Sequence, residues 1–131
     1  AGTSYPAKTL LNACIPFSNG SDAPVEEPNV MRGMECAVTR RSIGSTDAPY
    51  RSEEALTVRE AIDSFTKSGA VASFEEGKKG EIANGQLADF VVLSEDPFKA
   101  DANTLHRIEA EATYLGGECV YKRTRLQKIK R

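Results

Sequence analysis

Histidine is nearly absent from this chain: His106 is the only one in 131 residues. The chain therefore cannot assemble a multi-histidine metal site by itself. Cysteine is sparse too. Cys14, Cys36 and Cys119 are odd in number, widely spaced and form no CxxC pair. That argues against a disulfide framework and a cysteine-type zinc site, and for a reducing, cytoplasmic setting. No apolar run approaches the roughly 20 residues that span a bilayer, so no membrane partner is expected. There is no signal-peptide pattern and no initiator methionine. The opening Ala1-Gly2-Thr3 carries the expectation of a processed chain or a piece of a longer one. Internal repeats and low-complexity segments are also missing.

What is present is an ordinary globular composition, 40% hydrophobic and 27% charged, long enough for one domain with a core. The net charge of −2 is unevenly spread. Residues 122–131 hold six of the 17 basic residues and no acidic one, which leaves the other 121 residues at −8. A basic tail can meet phosphate. On an acidic body it reads as a solvated tail, and no nucleic-acid partner is expected.

The rest of the chain is organised around Ile15-Pro16-Phe17-Ser18-Asn19-Gly20-Ser21-Asp22-Ala23-Pro24-Val25. A short apolar run ends in a Gly-Ser-Asp corner that Pro24 stiffens by keeping Ala23 out of the α region. In parallel α/β architectures strand ends carry the chemistry, which makes Asp22 a candidate. Ser-Asp-x-Pro is equally an ordinary turn signal. Before it, residues 5–14 read as the end of a helix with Leu10, Leu11 and Cys14 on one side. After it, Val30, Met31, Met34, Ala37 and Val38 set a helical pattern over 30–41, with Arg40 and Arg41 at its negative pole.

Residues 42–55 read as exposed loop. Thr57-Val58-Arg59-Glu60 fits a capping box, and Val58, Ala61, Ile62 and Phe65 then form a core-facing stripe. A second short helix is expected at 70–74. From Gly77 the period changes. A β-rich run ends at Leu93, Leu105–Ile108 is a short strand or a turn, and strands at 112–115 and 118–121 are joined at Gly116-Gly117, a two-residue hairpin signal. So small a sheet leaves an edge uncovered, so the second half is expected to pair with strands from elsewhere or to self-associate. A free-standing β-edge interaction module without catalysis is therefore the rival reading.

In order along the chain, Gly20-Ser21-Asp22-Ala23-Pro24-Val25, Ala37-Val38-Thr39-Arg40, Leu56-Thr57-Val58-Arg59-Glu60-Ala61 and Phe65-Thr66 resemble the C-terminal part of an amidohydrolase-superfamily enzyme. Gly80-x-Ile82-x-x-Gly85-x-x-Ala88-Asp89-x-Val91-Val92-Leu93 and Gly116-Gly117-x-x-Val120-Tyr121 continue the series to residue 121. The branch resembled is amidohydrolase family 3, which includes N-substituted formamide deformylases and exoenzyme-regulatory proteins. The resemblance implies an α/β fragment: the last strand–helix unit of a (β/α)8 barrel, then the C-terminal strands of a small composite β-sandwich. Residues 1–76 would end the barrel, with strand 8 at about 15–22, residues 77–121 would belong to the sandwich, and 122–131 would be the basic tail.

The implied activity is metal-dependent hydrolysis of a non-peptide carbon–nitrogen bond in a small amide, formamide or cyclic amide, with zinc as the expected divalent metal. Asp22 would be a metal ligand and proton shuttle. Arg40 would either contact substrate or pair with a nearby acid. Asp89 would cap backbone amides at the start of its strand, and His106 would be a surface or structural residue. The isolated chain is expected to be inactive and to hold no metal stably, because one carboxylate is a poor site.

Overall fold

The computed structural model describes residues 4–124. Four short helices come first: α1 (Ala7–Asn12), α2 (Val30–Thr39), α3 (Val58–Phe65) and α4 (Lys67–Ala72). Strands β1 (Phe90–Leu93), β2 (Ala110–Leu115) and β3 (Glu118–Lys122) then make an antiparallel sheet in the order β1-β2-β3. Two 3-10 helices lie at Ser52–Glu54 and Ala102–Arg107.

Local chemistry explains several boundaries. Asn29 caps α2, its Oδ1 accepting from the amides of Met31 and Arg32. Thr57 and Glu60 make the expected capping box: the Glu60 amide donates to Thr57 Oγ1 and the Thr57 amide to Glu60 Oε2. The hairpin turns at Gly116 and Gly117, both at positive φ, as a two-residue connection requires.

Met31 and Met34 of α2, Leu56 just before α3 and Ala61 within it pack with Leu105 and Ile108 from the second 3-10 helix and its exit to form the main core cluster. Gly33 lets α3 approach α2 closely: a Cβ there would lie 2.8 Å from the Phe65 ring.

Besides residues 42–55, expected as exposed loop but holding the 3-10 helix at Ser52–Glu54 and the buried Glu54, three expectations need correction. The strand expected at about 15–22 is not formed, since residues 15–21 have no ladder partner. A parallel barrel strand needs neighbours on its edges, and every strand among the described residues belongs to the other half. The segment instead leans on the end of α3. The Asn19 amide donates to the Ser64 carbonyl at 3.1 Å, and Asn19 Nδ2 to Ser64 Oγ at 2.9 Å. The second correction is at Leu105–Ile108, where Asp101 accepts from the Asn103 amide and starts a 3-10 helix in place of the expected strand or turn. The third is α4, which begins at Lys67 and ends before Ser73.

Candidate functional site

Asp22 sits in a tight turn. The Val25 amide returns to the Asp22 carbonyl at 2.9 Å, the Glu26 amide to the Ser21 carbonyl at 3.2 Å, and the Ala23–Pro24 bond is cis. Asp22 itself adopts φ 49°, a left-handed conformation that aspartate tolerates better than most residues. Its side chain is exposed and has no hydrogen-bond or ion-pair partner among the described residues. The corner thus offers a free carboxylate on a constrained backbone.

Arg40 follows α2, as its left-handed C-cap at φ 56°. Its backbone carbonyl accepts from the Tyr50 amide, its Nε donates to the Tyr50 carbonyl at 3.1 Å, and the guanidinium lies 5.9 Å from the Tyr50 ring centroid. No hydrogen bond or ion pair joins Arg40 to Asp22 among the described residues. Asp89 Oδ1 accepts from the Gly116 amide at 2.7 Å. The capped group is therefore the hairpin turn, not an amide beside the start of β1.

Two buried glutamates were not singled out by sequence reasoning. Glu35 is 3% exposed, and its Oε2 meets both the His106 amide (3.0 Å) and ring Nδ1 (2.6 Å). His106 is thereby structural: it fastens the second 3-10 helix to α2. The available signal was a carboxylate at i+4 from Met31 and i−3 from Val38, inside an apolar helical stripe. Glu54, 2% exposed, accepts from the Thr9 hydroxyl (2.5 Å), the Thr9 amide (2.9 Å) and Arg51 (3.2 Å). The Thr9 donors, followed by the Arg51 charge, hold its carboxyl below the usual carboxylate range. Burial and then the Glu35 charge push the Cys36 thiol up.

No group of three histidine, cysteine or acidic side chains among the described residues could hold a metal ion. No helix among them is long and apolar enough to cross a membrane.

The Amidohydrolase family profile matches residues 1–121. YtcJ of Bacillus subtilis (strain 168), named for the same family, is 39% identical over 93% of this chain and 23% of its own length. The N-substituted formamide deformylase of Arthrobacter pascens is 31% identical over 92% of this chain and 22% of its own. Protein LONG AFTER FAR-RED 3 of Arabidopsis thaliana is 33% identical over 90% and 20%, respectively. The crystal structure of an amidohydrolase from Thermotoga maritima MSB8 superposes with a TM-score of 0.67 at 21% identity, covering 91% of this chain and 26% of that one. The chain thus spans about a quarter or less of the proteins it matches. It belongs to the amidohydrolase family.

Proposed function

We propose that this chain is the C-terminal share of a metal-dependent hydrolase that cleaves non-peptide carbon–nitrogen bonds of small amides, formamides or cyclic amides. Asp22 is its contribution to the catalytic centre, as metal ligand and proton shuttle. The single observation that carries the reading is the state of Asp22 within a family-matched segment: exposed, unpaired and fixed on a turn. A carboxylate so placed accepts a proton from water and returns it to a leaving nitrogen. The name of the formamide deformylase relative supports the substrate class.

One carboxylate does not fit a metal by itself, and the described residues gather no further ligands around it. No catalytic step is therefore assigned to this chain alone; the remaining ligands, for zinc or another divalent metal, belong to the complete enzyme. Arg40, committed to Tyr50 just past the end of α2, fits packing better than substrate contact. The three free cysteines favour a reducing, cytoplasmic setting. The barrel and sandwich layout, with its division near residue 76, is part of the same proposal.

A second reading rests on β3, every residue of which is exposed. With Val91, Val92, Leu115, Val120 and Tyr121 also exposed, this sheet favours self-association of the chain. One experiment addresses both readings: gel filtration of the chain and its Asp22→Ala variant, then elemental analysis, alongside Asp22→Asn in a complete protein carrying this segment. The isolated chain should elute above monomer size with substoichiometric metal that Asp22→Ala leaves unchanged. In the complete protein, hydrolysis of an N-substituted formamide should fall by at least about 10²–10⁴-fold. Stoichiometric zinc lost on mutating Asp22 in the isolated chain, or undiminished hydrolysis in Asp22→Asn, overturns the first reading; a clean monomer overturns the second.

A further inference from the structure

Arg41, just past the cap of α2, has no role in the proposed chemistry. Its Nε is shielded from water and has no hydrogen-bond acceptor among the described residues, and Nη2 of neighbouring Arg40 is in the same state. A guanidinium stays charged at any ordinary pH, and a shielded donor without an acceptor costs free energy. Arg41 lines a groove of about 380 Å³ together with Glu35, Thr39, Ser42, Thr46 and Asn103. That volume lies in the small-ligand range of roughly 300–1,000 Å³.

No acid among the described residues is hydrogen-bonded to Arg41 Nε. Glu35 Oε2 is turned to the amide and ring of His106. Asp47 accepts from Ser45 Oγ at 2.8 Å, and Asp101 from the amide and side chain of Asn103 at 2.8 and 2.9 Å. Thr39 Oγ1 is spent on the Glu35 carbonyl at 2.7 Å. The hydroxyls of Ser42 and Thr46 make no bond among the described residues, which leaves two neutral donors beside one unsatisfied cation.

We propose that this groove is an oxyanion site. It takes a carboxylate or phosphate group on the Arg41 guanidinium and the hydroxyls of Ser42 and Thr46. A planar guanidinium presents parallel N–H donors that match two oxygens of either group. A phosphate-type small molecule and an acidic side chain from another stretch of a longer protein share this chemistry, and two probes separate them.

The test is thermal unfolding and amide NMR of the full 131-residue chain, titrated with inorganic phosphate, acetate, or chloride at matched ionic strength. A saturable rise in Tm beyond that in chloride is expected, with shifts at the Ser42 and Gly44 amides. The response should vanish in Arg41→Gln and weaken in Ser42→Ala and Thr46→Val. Saturation by phosphate alone assigns a phosphate-type ligand; saturation by acetate as well assigns a carboxylate. A response no larger than that of chloride, or one unchanged in Arg41→Gln, overturns the proposal. Should Arg41→Gln fail to fold, an undiminished response in both hydroxyl variants overturns it equally.

Discussion

Replacing Glu35 with alanine should destabilise the fold several times more than a polar residue on a surface helix would. At 3% exposure its carboxylate has left water, and both donors to Oε2 come from one residue 71 positions away: the amide of His106 at 3.0 Å and its Nδ1 at 2.6 Å. Each hydrogen bond to a charged group contributes about 1.5–3 kcal/mol. Removing the shared acceptor also leaves the His106 amide without its partner. Leu105, next in the chain and 0% exposed, lies in the core, so the bond also holds a core residue in place.

Glu35→Ala removes two such bonds and is therefore expected to lose about 3–6 kcal/mol, a large part of the roughly 5–15 kcal/mol that such a domain holds. His106→Ala keeps the backbone bond and should lose about 1.5–3 kcal/mol. In the double variant, the missing part of the sum should be about 1.5–3 kcal/mol, the coupling between the two side chains. Urea unfolding followed by circular dichroism at one fixed pH, with m compared across the four proteins, provides the measurement. Losses that simply add within about 0.5 kcal/mol would show that His106 and Glu35 are neighbours without being partners.

The Glu54 site gives the pH dependence. Its carboxyl is held below the ordinary value of 4.5 in the fold, so its contribution is complete above that value and is lost as pH falls through the lower folded one. Thr9→Val removes the hydroxyl donor at 2.5 Å; the stability gap from the native chain should be widest near neutral pH and close in acid, and a gap independent of pH would refute this. Gly33→Ala tests the α2–α3 contact. Helix propensity alone predicts a gain of about 1 kcal/mol, but the 2.8 Å clash with Phe65 should turn this into a loss of about 1–3 kcal/mol that Phe65→Leu relieves. A rise in Tm for Gly33→Ala would mean that Phe65 moves aside freely.

Features legible in the sequence are those decided within a few residues. The Thr57–Glu60 capping box and the Gly116-Gly117 hairpin each depend on short spacings and form as read. Asp89 marks the limit of that rule: a capping role was legible from its type, but its partner, Gly116, is 27 residues away. Glu35–His106 and Thr9–Glu54 lie further out, 71 and 45 residues apart, and no local pattern names such a partner. What could be read was the anomaly, an acid inside an apolar stripe that must find a donor somewhere. Asp22 was a candidate by its corner, but the chemical role proposed for it came only from resemblance to a family.

The unformed strand at 15–22 and the formed hairpin at 110–122 show one physical distinction at work. A hairpin closes its own ladder across two residues, so the sequence that encodes it also supplies its partner. A parallel strand takes both neighbours from crossovers a dozen or more residues long, so its sequence encodes only a willingness to pair. Here the segment settles its polar groups on Ser64 at the end of α3, and Asp22 is held through that contact and its own turn. Were strands to pair with residues 15–21, the orientation of Asp22 would follow them. Asn19→Ala, which removes the Nδ2 bond to Ser64, should loosen the corner in this chain. It should matter little wherever flanking strands hold the same backbone.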